Sequence, residues 1–210
     1  SAVLLFVLLS VRERLDWVRQ IRAVPRTFWL LGLASAVIGF NWSLYVWAVN
    51  AGHVVESSLG YFINPLLNVV IGVLFLRERL VPAQWVAVGL AACGVLWLTF
   101  NYGSFPWIAL ALATSFAFYG LIRRQAQVDA VAGLGVENLY LLVPAAALLA
   151  WLELGGQGGF VDVRWGWGSN LLLVLGGALT ALPLIGFAYA VRQVSLTTVG
   201  LLQYLAPTLQ

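Results

Sequence analysis

The sequence predicts an all-α membrane protein, a polytopic helix bundle made of two repeats with inverted topology. Three observations predict it. Of the 210 residues, 62% are hydrophobic and only 9% are charged, against roughly 25% charged in a soluble globular domain. Apolar segments long enough to cross a bilayer recur along the whole chain. The arginines then fall in alternate links between those segments.

A hydrocarbon core of ~30 Å needs about 20 apolar residues of helix. Six complete spans meet that length: Thr27–Asn50, Ser57–Leu76, Ala83–Phe100, Phe105–Ile122, Gly133–Leu152 and Ser169–Val191. Partial spans flank them at Ser1–Val11 and Ser195–Gln210. The links are short, Asn101–Ser104 being the tightest, so neighbouring helices are expected to run antiparallel. Glu153–Gly168 is the one longer loop, and its run Gly155-Gly156-Gln157-Gly158-Gly159 reads as a solvated turn rather than an anion cradle, with no helix pattern following directly. The chain begins and ends inside apolar runs and contains no Met, so it is expected to be an internal piece of a longer protein. Its basic run Arg12–Arg26 follows the first apolar run, the reverse of signal-peptide order.

Charge orients the spans. Arg12, Arg14, Arg19, Arg22 and Arg26, then Arg77 and Arg79, then Arg123 and Arg124, then Arg192 lie on one side, against Arg164 alone on the other. Cationic loops stay in the cytoplasm, so loops 12–26, 77–82, 123–132 and 192–194 are expected there, in a multi-pass protein of the bacterial cytoplasmic (inner) membrane. Trp29 and Trp85 then fall near the cytoplasmic edge, and Trp47, Trp97, Trp107 and Trp151 near the outer edge, where aromatic anchors belong.

All eleven cations are Arg. Without Lys there is no Walker A phosphate loop and no Schiff-base cofactor, and one Cys with one His supplies neither a structural zinc site nor a disulfide. No cofactor and no metal are expected. The arginines do not gather on one polar face, which argues against a nucleic-acid partner. No feature specifies an oligomeric state.

An offset of 142 residues lays Tyr45–Val49 ("YVWAV") on Phe187–Val191 ("FAYAV"), Phe62 on Tyr204 and Pro65 on Pro207. The matched helices are five crossings apart, and an odd number reverses the chain direction. The halves, 1–100 and 101–210, are therefore expected to be inverted repeats, an architecture that recurs in secondary transporters.

Gly39–Leu80 ("GFNWSLYVWAVNAGHVVESSLGYFINPLLNVVIGVLFLRERL"), with "SLGYFINPL" at Ser58–Leu66 its most specific part, resembles the RarD family of EamA-type transporters in the drug/metabolite transporter superfamily. Thr114–Arg123 ("TSFAFYGLIR") and Val199–Leu209 ("VGLLQYLAPTL") extend the resemblance along nearly the whole chain. It implies ten helices in two five-helix EamA repeats, of which this chain covers the end of the second to most of the ninth. It also implies an inner-membrane permease associated with chloramphenicol sensitivity.

Polar groups inside hydrocarbon are costly unless they face a partner or a wet cavity. Ser58, Tyr61, Asn64 with Pro65, and Asn68 share one face of an otherwise apolar helix. Pro65 also frees the carbonyl one turn earlier, near Tyr61. This face is expected to line a substrate pathway, the competing reading being that the amides join neighbouring helices. Asn41, Trp42 and Tyr45 on the preceding span, Tyr119 with Ser115, and Gln203 and Tyr204 before Pro207 complete the candidate pathway, with Pro183 interrupting a further span. For proton coupling, Glu137 is the first candidate. It lies ~6 Å inside its span, where it either couples or snorkels to the surface. Glu56 beside His53 is the second, against a solvated turn. Glu78 in "RER" reads as helix termination, with gating as the lesser alternative.

The predicted function is secondary active transport of a small organic metabolite or drug, ion-coupled by alternating access, with the bilayer and protons as its other partners. A membrane-embedded enzyme needs paired acids, a His with a nucleophile or a metal cluster, and the spans offer none of these. Cys93 in "GLAACG" reads as helix packing. A non-transporting scaffold would leave the polar face unexplained.

Overall fold

The structure, a computed structural model, describes residues 25–126, 128–156 and 166–205. The first partial span Ser1–Val11, Arg12 to Arg22, Arg164, most of the glycine-rich run and Pro207 lie outside the described residues.

Every described element is a helix: α1 Pro25–Asn50, α2 Val54–Leu76, α3 Pro82–Tyr102, α4 Trp107–Gln125, α5 Ala130–Leu154, α6 Gly166–Gln193 and α7 Leu196–Gln203. Their ends follow local chemistry. Pro25, Pro82 and Pro106 stand at or just before helix starts, where a missing N–H costs nothing. At the start of α3, Gln84 Oε1 accepts the Val81 N–H at 3.0 Å. Asp129 caps α5 by accepting the Val131 N–H at 2.9 Å, and Ser195 caps α7 by accepting the Thr198 N–H at 3.1 Å. Gly103 ends α3 at φ 78°, as glycine readily does. Arg77 ends α2 in the same left-handed region, at φ 54°, and is the one non-glycine residue at positive φ among those described. Pro65, Pro144 and Pro183 sit inside continuous helices.

Among the described residues, five helices contain a stretch long and apolar enough to cross a membrane: Arg26–Asn50, Val54–Leu76, Pro82–Asn101, Ala130–Leu154 and Leu175–Gln193. The sixth expected span, Phe105–Ile122, forms as α4 but is not among them. Arg123 and Arg124 occupy its last turn, leaving a shorter apolar run. The exposed surface is that of a protein immersed in lipid. Only 6% of the apolar window of α3 is buried, and Trp85, Leu90, Trp97 and Phe100 stand exposed along it. Hydrocarbon accepts such a face and water does not. Trp29, Trp47, Trp107 and Trp151 are exposed as well.

The chain groups into two compact units that cut across the expected repeats. In one, which holds the described residues up to Ser35 and those between Ala126 and Tyr189, Leu31 packs with Ala126, Val128, Ala132 and Val136, and Leu134 with Ala181. Tyr140 lies over Gly32 and donates to the Phe28 carbonyl at 3.3 Å.

In the other unit, Ala36–Gln125 with the chain from Ala190 onward, α2 is central. Leu59 and Ile63 pack on Ala109 and Ala113 of α4, while Ile108 and Leu112 meet Ala48 of α1. On α2's other side lies α7. Glu78, just past the end of α2, bonds the first residues of α7, whereas Phe62 and Asn64, earlier in α2, bond Tyr204 and Gln203 at its end. The two helices therefore run antiparallel. Their first residues, Val54 and Leu196, stand at the same 142-residue offset as the sequence match.

Candidate functional site

The α2–α7 contact gathers a polar cluster inside apolar helices. Asn64 Nδ2 and Asn68 Nδ2 both donate to Gln203 Oε1, at 3.3 and 2.6 Å. Asn68 is 0% exposed. The Oδ1 atoms of both asparagines are buried without a hydrogen-bond partner. Such buried acceptors are expensive to leave unmade, and so mark a place with polar capacity to spare. Tyr204 Oη donates to the Phe62 carbonyl at 3.1 Å. Pro65 removes the helical donor of the Tyr61 carbonyl, yet the carbonyl that receives this side chain is that of its neighbour Phe62.

Gly200 permits the approach. A Cβ there would lie 2.7 Å from the Pro65 carbonyl oxygen and 3.0 Å from Asn68 Cβ, and the nearer atom is backbone. Sequence reasoning missed Gly200, although the 142-residue offset lays it on Ser58 and pairs two small residues.

The other predicted pathway residues divide. Tyr61 and Tyr45 meet edge to face, ring centroids 6.2 Å apart, both partly exposed. Asn41 is turned to α4, donating to Leu112 O and Ser115 Oγ at 2.8 Å each, so it joins helices. Ser58 donates back to Val54 O in its own helix at 2.8 Å and is not drawn into the amide cluster. Trp42 is exposed on α1, and Tyr119 is wholly buried in α4.

The acids are more engaged than the sequence suggested. Glu56 is 4% exposed, so the solvated-turn reading does not hold. Its Oε1 accepts the Ile108 N–H at 2.9 Å, a carboxylate of α2 capping the first turn of α4. His53 Nδ1 lies 3.9 Å from its other oxygen. Glu137 is 1% exposed, which rules out snorkelling to the protein surface. Glu78 does more than end a helix. Its carboxylate accepts from Leu196 N at 2.8 Å, Thr197 N at 2.9 Å, Thr197 Oγ1 at 2.7 Å and Arg124 at 2.9 Å. Desolvation pushes its pKa up, but these hydrogen bonds and the guanidinium outweigh it and hold the carboxyl below 4.5. Gly72 leaves the room, since a Cβ there would be 2.7 Å from Glu78 Oε2 and 2.9 Å from Thr197 Oγ1. A carboxylate directly after α2 and the helix start Ser195-Leu196-Thr197 were both visible in the sequence; nothing in it paired them. Among the described residues, no three His, Cys, Asp or Glu side chains are grouped to hold a metal ion.

Residues 1–100 match the EamA-like transporter family. The chain is 49% identical over 209 residues to "Protein RarD" of Streptomyces exfoliatus, covering 100% of this chain and 65% of that protein. It is 47% identical over 209 residues to an "Uncharacterized transporter" of Vibrio cholerae, covering 100% of this chain and 68% of that one. This chain belongs to the EamA-like transporter family, in its RarD group. "Protein RarD" of Escherichia coli is 41% identical over 209 residues, again along 100% of this chain and 70% of its own length. The chain thus spans about two thirds of the length of its RarD relatives, and less than that of the first. No solved structure matches it.

Proposed function

We propose that the full-length protein is a secondary transporter that moves a small organic metabolite or drug across the bacterial cytoplasmic membrane by alternating access. The observation that carries this reading is the amide cluster of Asn64, Asn68 and Gln203, which places unspent hydrogen-bonding capacity between two antiparallel helices of an apolar bundle. A purely structural contact would be expected to use its polar groups fully. Substrate enters past the partly exposed Tyr45 and Tyr61 and is held by the α2 wall. Movement of α7 against α2 exposes the wall to one side and then the other. The two helices are the matched members of inverted repeats 1–100 and 101–210, so one rearrangement is the mirror of the other. The arginine-rich links face the cytoplasm.

Glu137 is the proton-coupling group in this reading. It is an acid buried in an apolar helix, the kind of intramembrane ionisable group that marks proton relays. Glu56, whose carboxylate accepts the Ile108 N–H at the start of α4, is the second candidate. The role is not enzymatic.

The test is an uptake screen with full-length protein in sealed vesicles, with and without a proton gradient. Chloramphenicol is the first compound, since one relative is named for sensitivity to it. Accumulation that depends on the protein and on the gradient is the expected result. Uptake equal to that of protein-free vesicles for every compound overturns the reading.

A further inference from the structure

The wall of the pathway is built without charge. In the unit that holds α2 and α7, the charged side chains stand at helix ends: Glu56 in the first turn of α2, Arg77, Glu78 and Arg79 in the link after it, Arg123 and Arg124 ending α4, and Arg192 ending α6. From Phe62 to Val69, and from Gly200 to Tyr204, the side chains are aliphatic, aromatic or amide. A charged ligand seated there would lose its hydration with no opposite charge to replace it, which is prohibitive in a low-dielectric setting.

The two amides of the wall have also spent their groups unevenly. Both Nδ2 groups converge on the single acceptor Gln203 Oε1. What remains buried and unmatched is acceptor on both sides, Asn64 Oδ1 and Asn68 Oδ1. They lie one helical turn apart on one face. Asn64 is half-buried beside exposed Tyr61, and Asn68 is sealed beneath Gly200. Tyr61, one turn from Asn64, and Tyr45 beside it are partly exposed and offer ring surface there.

Resting on the transport reading above, we propose that the pathway selects an uncharged organic molecule with an apolar body and neighbouring hydrogen-bond donors, hydroxyl or amide N–H, which satisfy Asn64 Oδ1 and, once α7 moves off, Asn68 Oδ1. Acceptor-only molecules, carboxylates and ammonium ions are selected against.

The experiment measures binding to the full-length protein in lipid nanodiscs, by thermal stabilisation across a concentration series, of four matched probes. These are a phenyl-substituted propanediol, its dimethyl ether, and the corresponding ammonium and carboxylate. The diol is expected to bind at least about tenfold more tightly than the other three, the discrimination that donor pairing with buried acceptors supports. In Asn68→Leu the preference over the ether should fall to near parity. Asn64→Leu, at a less buried position, repeats the test should the first variant fail to fold. An ether or an ion that matches the diol overturns the donor assignment while leaving transport standing, because binding itself persists. Unchanged preference in both variants overturns it too. Binding of none of the four overturns the substrate class, and the transport reading falls with it only if the uptake screen is also empty.

Discussion

Tyr204 Oη donates to the Phe62 carbonyl at 3.1 Å, and these two residues stand 142 positions apart, the offset at which the two halves of the sequence align. Residues that correspond under the proposed repeat therefore touch one another. In an inverted-repeat protein, that is expected where the pseudo-symmetry axis passes between the two equivalent helices. The contact lies directly beside the amide cluster, so under the proposed repeat the candidate pathway falls between the two matched helices α2 and α7.

Gly200→Ala tests how tightly α7 must sit on α2. The added methyl meets the Pro65 carbonyl oxygen at 2.7 Å, and neither backbone can give way cheaply. The substitution is expected to destabilise the full-length protein by about 1–3 kcal/mol, as overpacking does, and to slow transport. Thermal unfolding in detergent measures the first effect and vesicle uptake the second. Wild-type stability in the variant means the helices separate freely at this point.

Glu78→Gln tests the clasp at the start of α7. The Glu78 carboxyl is held below 4.5 in the folded protein, so its charge stabilises the fold above pH 4.5, and that contribution is lost as pH falls through the lowered folded value. At neutral pH the variant is expected to unfold at a lower temperature than wild type, and the gap is expected to shrink as acidification protonates the carboxyl. Thermal unfolding of both proteins at pH 7 and at pH 3 checks it. A gap that is the same at both pH values places the stabilisation in the shape of the side chain and not in its charge.

Glu137→Gln tests coupling. The neutral amide keeps the volume of a side chain that is 1% exposed and removes its titration. Uptake driven by a proton gradient is expected to fall to the level seen without one, while exchange of substrate down its own gradient continues. An undiminished response to the proton gradient removes Glu137 from the coupling step.

Much of the fold was legible because one strong signal, apolar length interrupted by arginines, fixes helices in a bilayer. The expected spans Thr27–Asn50 and Ser57–Leu76 lie within α1 and α2, extended by no more than three residues at their starts. Phe105–Ile122 was harder, since a run that ends at Arg123 and Arg124 reads as a span from its composition, yet its helix is short and about half of its residues are buried, Ala109 and Ala113 among them against α2. In the polar cluster, helical spacing put Asn64 and Asn68 on one face, but spacing within a helix says nothing about the neighbour. That Gln203 would accept from both, that Asn41 would instead serve α4, and that Ser58 would turn back on its own helix depended on packing. Glu56 was misjudged as a solvated turn, and Glu78, which does follow the end of α2, has partners that its reading as a helix end did not include. Acids beside turns look solvated in sequence, and only the three-dimensional fold reveals the helix starts at Ile108 and Leu196 that they cap.

The central claim is that the α2 face carrying Tyr61 and Asn64 is the wall along which substrate passes. Its most direct test is vesicle uptake by full-length protein carrying Asn64→Leu or Tyr61→Ala, with membrane insertion measured in parallel. Each variant is expected to insert as wild type does and to transport nothing above protein-free vesicles. Wild-type uptake in both would contradict the assignment and return these residues to helix packing.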